Sequence, residues 1–398
     1  MQEIFTGSFT QQEPIPDAAI KAAVEVMRHG RLHRYNLGPD EIGETALLER
    51  EFAALTGAKY CVAVASGGYA IGGALRAAGV RPGDKVLSNA FTLAPVPGAI
   101  AALGAVPVLV GVSDDLTIDL DDLEAKIDRA DYLLLSHMRG HICDMDRLMA
   151  ICDAGGVKVI EDCAHTMGAT WDGVASGQHG LAAAYSCQTY KHVNSGEGGF
   201  LTTNDDELAA RAVIMSGSYM LYGRNGAVPP PEVFERVKYD TPNISGRMDN
   251  LRAAILRPQI AALPEQVTRW NERYRALEQG LRDTPGLHVI ERGAKEHFVG
   301  SSIQFLLPDW SGEKVEQVVA RCLARGVELK WFGAPEPVAF TSRYDSWRYF
   351  KAEAMPASDR ILASILDMRV PLTFSLEDCA LIARIIRAEV SAIYQAAA

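Results

Sequence analysis

The 398-residue sequence lacks several features that would assign it to a simple class of protein. It has no run of about 18 apolar residues and no basic-then-apolar segment after Met1, so we expect neither a membrane span nor a signal peptide. Basic residues are fewer than acidic ones, 39 against 50, which gives a formal net charge of -11. An acidic surface argues against nucleic acids and anionic membranes as partners, because both select clustered Lys and Arg.

Cysteine pairs with metal-site spacing are also missing. The cysteines are odd in number, lie mostly in apolar segments and include no Cys-x-x-Cys pair, so we expect reduced core thiols and a cytoplasmic location. They are Cys61, Cys143, Cys152, Cys163, Cys187, Cys322 and Cys379. His137, His141 and Cys143 lie close in sequence but do not form a closed ligand set, so we predict no metal site.

Short apolar strands that alternate with helices dominate the first 260 residues. Strands are predicted near 60–65, 84–88, 106–110, 131–136 and 157–160, and none alternates polar with apolar residues. This pattern is typical of an α/β fold with a mostly parallel central sheet covered by helices on both faces. We place an N-terminal segment and a large domain in residues 1–260.

The remainder, 261–398, is predicted to be a smaller α+β domain. Strands are expected at 287–290, 302–307 and 327–330, with helices at 314–325 and 375–396. Residues 249–280 are helical in pattern, but Pro258 and Pro264 predict breaks into two or three helices.

Chemically active side chains follow the predicted strands of the large domain. In parallel sheets, ligands gather at the carboxyl ends of the strands. The residues just past strand ends are Ser66, Phe91, Arg139, Asp162, His165 and Lys191. The sequence therefore predicts one site at this edge of the sheet.

The stretch 182–199, Ala-Ala-Ala-Tyr-Ser-Cys-Gln-Thr-Tyr-Lys-His-Val-Asn-Ser-Gly-Glu-Gly-Gly, is the centre of that prediction. Taken alone, Lys191 reads as a surface lysine, because most lysines are solvated. At a strand end near an apolar core it would instead pair or become neutral, and a neutral lysine is a nucleophile for an aldehyde.

The surrounding groups fit pyridoxal 5'-phosphate. Lys191 would hold the aldehyde, Asp162 would pair with a protonated ring nitrogen, and Phe91 would lie against the ring. The phosphate would be held by Ser66, Gly67, Gly68 and Ser186, since a strand, a Ser-Gly-Gly turn and a helix N-terminus bind anions. A dinucleotide fits poorly, because no Gly-x-Gly-x-x-Gly follows the first strand and no Walker Gly-Lys-Ser/Thr turn occurs.

Two basic features could contact a substrate. Residues 28–36 form a cluster of basic residues. This segment is either a solvated loop or a loop at the edge of the site that brings Arg34 and Tyr35 to an anionic ligand. Arg139 lies in a turn, where a guanidinium suits a carboxylate of a Glu or Gln donor or of an acidic acceptor.

Six motifs occur in the order seen in one known enzyme family. They are the helix 49–57 with strand and Ser-Gly turn 60–67, Phe91-Thr92, Gly104-Ala105-Val106-Pro107-Val108, Glu161-Asp162-Cys163-Ala164-His165, Ser186 with Lys191 and Gly196 at spacings of five, and Arg247-Met248 with Ala253-Ala254. In this arrangement the sequence resembles the DegT/DnrJ/EryC1/StrS aminotransferases of fold type I. The resemblance covers about residues 25–260 and continues weakly to the C-terminus.

The resemblance implies a role for each matching residue. Lys191 would be the internal aldimine lysine and proton shuttle, Asp162 would bind the ring nitrogen, and His165, where the family usually has Gln, would lie near the phenolic oxygen. A residue near 243–245 of a second subunit, Asn243 or Ser245, would complete the phosphate site, which implies a homodimer with active sites at the subunit interface. We also assign Gln188 to the cofactor site and His192 to the substrate site. The family's usual Thr-Ala is replaced by Gly68-Tyr69, which removes a hydroxyl.

The resemblance implies amino transfer from a Glu- or Gln-type donor to a keto-sugar, a cyclitol or a related small ketone. A pyridoxal-phosphate dehydratase, or a regulatory member of the same fold, is the alternative. Retention of Lys191 favours transamination. A nicotinamide-dependent oxidoreductase is a third reading that predicts no visible absorbance.

Overall fold

The structure is a computed structural model that describes residues 3–38 and 40–396. Its helices are α1 (Asp17–His29), α2 (Glu44–Thr56), α3 (Gly67–Ala77), α4 (Pro95–Ala102), α5 (Leu120–Lys126), α6 (Met145–Gly155), α7 (Asp206–Gly217), α8 (Pro231–Val237), α9 (Asn250–Leu281), α10 (Gly312–Ala324), α11 (Pro356–Ser364) and α12 (Leu376–Gln395). No helix within these described ranges is long and apolar enough to cross a bilayer.

The strands are β1 (Tyr60–Val64), β2 (Lys85–Asn89), β3 (Val106–Val110), β4 (Tyr132–Ser136), β5 (Lys158–Asp162), β6 (Thr170–Trp171), β7 (Val174–Ala175), β8 (Ala182–Ser186), β9 (Gly199–Thr203), β10 (His288–Val289), β11 (Glu296–His297), β12 (Ser302–Leu306), β13 (Lys330–Trp331) and β14 (Ile365–Arg369). The seven-stranded central sheet has the order β1-β9-β8-β5-β4-β2-β3. Only β9 pairs antiparallel with its neighbours there, so the predicted mostly parallel sheet is confirmed.

Helices cover both faces of the central sheet because consecutive strand residues point to opposite sides. In β4, Leu133 and Leu135 pack with one apolar cluster that includes residues of α2, α6 and α9. Leu134 packs with the other cluster, under α3, α4, α7 and α8. Burial on both faces explains why these strands are apolar throughout.

The C-terminal part has its own core. A four-stranded sheet, ordered β10-β12-β14-β13, packs with α9, α10 and α12 around a separate apolar cluster. Phe5 and Phe9 join this core edge-on to Phe374, with ring centroids 5.0 Å apart in each case. The N-terminal segment thus runs from the small domain to the large one, and the domain division at residue 260 stays a prediction.

Helix α9 corrects the expectation of breaks at its prolines. It is continuous over 32 residues, with Pro258 and Pro264 inside it. Its buried side, which includes Leu256 and Leu263, packs under the large-domain sheet, and this burial outweighs the hydrogen bonds lost at proline. The strand predicted at 327–330 is reduced to β13, and β14 was not predicted.

Candidate active site

Most of the predicted side chains meet in one cavity of about 430 Å³ at the carboxyl edge of the central sheet. The predicted residues that line it are Ser66, Gly67, Gly68, Arg139, His165, Ser186, Gln188, Lys191 and His192. Residues that the sequence did not suggest also line it, among them Gln12, Leu93, Tyr190, Trp270, Ser301, Phe340 and Arg369. Wider clefts of about 650 and 720 Å³ lie elsewhere, but neither is lined by a lysine or a histidine.

The turn after β1 forms one end of the cavity. Ser66 caps α3, its Oγ accepting a hydrogen bond from the Tyr69 N–H at 3.1 Å. The N–H groups of Gly67 and Gly68 open the helix and have no intrahelical acceptor by position. A Cβ on Gly67 would lie 2.7 Å from the Ser186 Cβ, so only glycine fits there, whereas a Cβ on Gly68 would make an ordinary contact with the Ser66 Oγ at 3.9 Å. This turn is a suitable cradle for a phosphate.

Lys191 lies on the loop between β8 and β9, which hydrogen bonds hold in a fixed shape. The Cys187 N–H donates to the Gly198 carbonyl at 2.9 Å, and the Lys191 N–H donates to the Gln188 carbonyl at 2.8 Å. Gly196 supplies a φ of 79° where this loop turns back, a conformation that glycine adopts without strain. The loop therefore presents Lys191 to the cavity.

The amine of Lys191 lies in a setting that favours its neutral form. Its Nζ is 2.7 Å from His165 Nε2. Burial lowers the pKa of Lys191 to about 7, Asp162 opposes this shift, and Arg139 and Arg369 add to it. Burial and the nearby Lys191 hold the pKa of His165 well below its usual value, so this histidine is neutral. A large fraction of Lys191 is thus an unprotonated nucleophile near pH 7.

Asp162 is a buried carboxylate at the end of β5, and no ion pair is formed by it among the described residues. Its Oδ1 accepts a hydrogen bond from the Ala164 N–H at 3.1 Å, and its Oδ2 lies 3.5 Å from the Ser136 hydroxyl. The Thr92 hydroxyl donates to that Ser136 oxygen at 2.8 Å. Burial raises the pKa of Asp162, and the charge of Lys191 limits the rise. A cation placed beside Asp162 would stabilise its ionised form.

Phe91 does not lie in the cavity, which corrects the expected ring contact. It is buried between the domains, edge-on to Phe332 with centroids 5.1 Å apart. Leu93, two residues later, lines the cavity instead. The chain continues past β2 without helical periodicity, so no sequence pattern indicates which side chain turns inward.

Arg34 and Tyr35 also lie away from the cavity, and the expected substrate contacts are wrong for this chain's own pocket. Arg34 is 2% exposed and donates to Glu49 at 2.9 Å and to Asn225 at 2.6 Å. The Tyr35 hydroxyl donates to the same Asn225 at 3.3 Å. Glu49 in turn accepts the Ala63 N–H, so this network fixes the N-terminal loop against β1.

Arg139 does line the cavity, but its guanidinium is already paired. It forms a buried ion pair with Asp367 of β14 in the small domain. Asp367 also accepts a hydrogen bond from Gln304 at 2.6 Å, and Gln304 bonds His141 at 2.8 Å. Arg139 adopts a φ of 56°, a left-handed conformation that costs free energy in a non-glycine residue. The expected carboxylate contact is therefore replaced by a link between the domains.

Replacing Arg139 with Met is expected to lower the free energy of unfolding by about 3 kcal/mol, because it leaves the buried Asp367 charge without its partner. Urea denaturation of the apoprotein measures this. The double variant Arg139→Met/Asp367→Asn should recover much of the loss, since Asn can still accept from Gln304. The exposed Arg28, paired with Glu25, is a matched control whose Arg28→Gln change should cost about 0.5 kcal/mol or less. A single variant as stable as this control would contradict the inference.

The remaining predicted positions divide into two groups. His192 is at the cavity wall, with Nε2 2.9 Å from the Ser301 hydroxyl, and burial lowers its pKa to about 3. Asn243 and Ser245 are exposed and do not line this cavity. Their predicted contact with a second subunit's phosphate site stays a prediction.

The histidines weighed as metal ligands have protein partners. His137 Nε2 lies 2.9 Å from a Glu161 oxygen, in a buried group with Cys163. The same carboxylate accepts the N–H groups of Gly177, His179 and Gly180, which accounts for its lone pairs. The seven cysteines are buried and unpaired, as predicted.

Comparison with known proteins identifies the family. The sequence profile of the DegT/DnrJ/EryC1/StrS aminotransferase family matches residues 15–387. The chain belongs to this family. A putative L-glutamine:3-amino-2,3-dideoxy-scyllo-inosose aminotransferase from Micromonospora echinospora is 33% identical over 287 residues, covering 70% of this chain and 66% of that protein.

Other relatives show the range of the DegT/DnrJ/EryC1/StrS family. A pleiotropic regulatory protein from Geobacillus stearothermophilus is 34% identical over 271 residues, 67% of this chain and 66% of that protein. In both alignments the chain spans slightly less than two thirds of the relative's length. The crystal structure of a 3-amino-5-hydroxybenzoic acid synthase superposes with a TM-score of 0.81 at 26% identity, over 97% of this chain and 99% of that one. This similarity confirms the predicted fold-type-I architecture.

The cavity of this DegT/DnrJ/EryC1/StrS protein fits the cofactor expected from the sequence. Burial without an ion pair raises the pKa of Asp162, and a protonated pyridine nitrogen would supply the cation that stabilises its carboxylate form. The first turn of α3 offers free N–H groups at the place for a phosphate, and Lys191 lines the same cavity as this turn. Each part of pyridoxal 5'-phosphate therefore has a matching group.

Proposed function

We propose that the protein transfers an amino group from L-glutamine or L-glutamate to a ketone on a sugar, a cyclitol or a related small ring, with pyridoxal 5'-phosphate held at Lys191. The observation that carries the proposal is the near-neutral pKa of Lys191, whose Nζ lies 2.7 Å from His165 in the cavity. The family supports amino transfer, and one relative is named for a glutamine donor and a cyclitol ketone.

Each residue has one task in this proposal. Bound pyridoxal phosphate supplies an electron sink for the pair left when a proton leaves the donor Cα. Lys191 Nζ would take that proton and return it at the cofactor's C4', because a pKa of about 7 lets the amine both accept and donate a proton near neutral pH. Neutral His165 would orient the Lys191 amine, and Asp162 would keep the ring nitrogen protonated. Ser66, Gly67 and Ser186 would hold the phosphate.

We infer that the active form is a homodimer. Apolar side chains are exposed around the segment that carries Asn243 and Ser245, which is unusual for a solvated surface. They include Tyr219 at 65% exposure, Met220 at 60%, Tyr239 at 83% and Ile244 at 50%. A second copy covering this patch would bring the two polar residues to a neighbouring site.

The half-reaction with the amino donor tests the proposal. Protein loaded with pyridoxal phosphate is mixed with L-glutamine or L-glutamate, and the visible absorbance is followed before the released cofactor is separated by chromatography. Conversion to pyridoxamine phosphate is expected with the L-donors and not with D-glutamine. A cofactor that stays unchanged would contradict amino transfer and favour the regulatory or dehydratase alternative, to which the similarity to a regulatory protein points.

A further inference from the structure

Two guanidinium groups face the cavity, and the only ion pair that either forms among the described residues is that of Arg139 with Asp367. Arg139 and Arg369 both line it, and Asp367 lies against Arg139. Asp367 is fully buried and also accepts from Gln304, so its oxygens are occupied by partners on two sides. Glu197 also lines the cavity but forms no ion pair with either guanidinium, so the charge of Arg369, at the end of β14, has no ion-pair partner among the described residues.

Arg369 is held in place without an ion pair. Its guanidinium carbon lies 3.9 Å from the centre of the Tyr190 ring and 5.2 Å from that of Phe340. Stacking on an aromatic face fixes the plane of the guanidinium and leaves its N–H edge free to donate. No carboxylate oxygen among the described residues lies within 4 Å of it, whereas Arg139 has Asp367.

The two histidines near Arg369 add no charge to the cavity, so the charges that act on its guanidinium are those of Arg139 and Asp367. His165 and His192 are neutral because burial lowers the pKa of each. Burial and the charge of Arg139 also lower the pKa of Arg369, while Asp367 and the hydrogen-bonding Tyr190 oppose them. An anion arriving in the cavity would relieve this repulsion.

We propose that Arg369 binds a carboxylate of the substrate, through a two-point contact from its free N–H edge. The carboxylate belongs either to the amino donor or to an acidic ketone acceptor, and both present the same planar acceptor pair. Arg139 is a positioning residue in this arrangement, since it binds Asp367 and holds β14 against the cavity. The role of Arg369 in amino transfer rests on the proposed function. Its binding of an anion does not, because that follows from its position in the cavity alone.

Equilibrium binding of glutarate to the protein loaded with pyridoxal phosphate, measured by calorimetry, is the first test. Arg369→Gln is expected to weaken binding by about 10- to 100-fold, the loss of two charge-assisted hydrogen bonds. Arg369→Lys should recover part of this binding, because lysine keeps the positive charge but lacks the paired N–H donors that match the two carboxylate oxygens. Arg28→Gln, on the exposed face of α1, should bind like the parent.

The two half-reactions then distinguish the source of the carboxylate. A loss confined to L-glutamate and L-glutamine assigns Arg369 to the donor. A loss seen with 3-oxocyclohexanecarboxylate, and absent with cyclohexanone, assigns it to an acidic acceptor. The proposal would be overturned if Arg369→Gln kept glutarate binding and both half-reactions within threefold of the parent. Should that variant not fold, Arg369→Met, which keeps the apolar stem and removes the charge, takes its place in this test. Glutarate binding that depends on Arg369 in a protein without amino transfer would reject the proposed function and keep the anion site.

Discussion

The Lys191→Ala protein is expected to lose amino transfer by about 10⁴-fold or more, because one side chain both holds the cofactor and moves the proton. The neighbouring His165 does not replace it, since the pKa of that imidazole is far below neutral and its ring is fixed at 2.7 Å from the missing amine. Absorbance of the reconstituted protein and the rate of the donor half-reaction measure the loss.

The same substitution should not harm the fold. Burial holds the pKa of Lys191 near 7 instead of its ordinary 10.5, so the folded apoprotein disfavours the protonated amine. Between about pH 7 and 10.5 the unfolded chain binds a proton that the folded one does not, and stability therefore rises with pH. The loss of stability that comes from burying the protonated Lys191 amine is complete below pH 7. It vanishes above the pKa of about 10.5 that lysine has in the unfolded chain. Lys191→Ala removes it, so the variant's gain in melting temperature should be larger at pH 6 than at pH 10.

Lys59 offers a matched control for this test. It is an exposed lysine paired with Asp206 at 2.6 Å. Because it directly precedes β1, it lies at the amino end of that strand, at the edge of the sheet opposite the cavity. Lys59→Ala should leave both the half-reaction and the cofactor absorbance unchanged. A Lys191→Ala protein that transfers amino groups at the parental rate would reject the assignment of Lys191.

The sequence was sufficient to predict that the site residues meet, because their meeting depends only on the order and direction of the strands. Parallel strands bring their carboxyl ends to one edge, so residues placed after β1, β4, β5 and β8 converge whatever their spacing along the chain. Ser66, Arg139, His165 and Lys191 all line the cavity for this reason. The same rule does not specify side-chain direction.

Two kinds of error follow from that limit. The choice between Phe91 and Leu93 depends on how an irregular segment turns after β2, and periodicity carries no information there. Arg34 looked available because it is charged, but Glu49 and Asn225, one of them 191 residues away, bury it. Polar partners distant in sequence could not be foreseen from a single chain.

The missed Arg369 shows the same limit in a functional residue. It ends β14, whose Ile-Leu-Asp-Met-Arg sequence contains two charged residues, which is unusual for a buried strand. Asp367 fits inside the sheet because Arg139 and Gln304 satisfy it, both from other elements. A charged pair two residues apart, on one face of a strand, was the signal that could have found this site.

Replacing Asp162 with Asn is the second change with a large expected effect, a fall in the rate of the half-reaction by about 10²- to 10³-fold. Asn keeps the shape and can still accept the Ala164 N–H, now made at 3.1 Å, so the loop after β5 should remain in place. What is lost is the negative charge that would keep the ring nitrogen protonated and the electron sink effective.

A second readout separates this charge effect from a change in shape. The charge of Asp162 opposes the lowering of the Lys191 pKa, so its removal should move that pKa further below 7. The rate at which the apoprotein captures pyridoxal phosphate needs the neutral amine, and its pH midpoint should therefore shift downward in Asp162→Asn. Asp146→Asn, which alters an exposed carboxylate paired with Lys295, should shift neither the rate nor the midpoint.

The stability of the apoprotein gives the third expectation for Asp162→Asn. Burial raises the pKa of Asp162 in the folded state, so the folded protein holds its proton to higher pH than the unfolded chain does. Stability therefore falls as pH rises from the unfolded pKa through the folded one, and Asn removes that fall. The variant should be as stable as the parent, or more so, at pH 7. An Asp162→Asn protein that is inactive because it is unfolded, or one within tenfold of the parental rate, would each contradict the role assigned to this carboxylate.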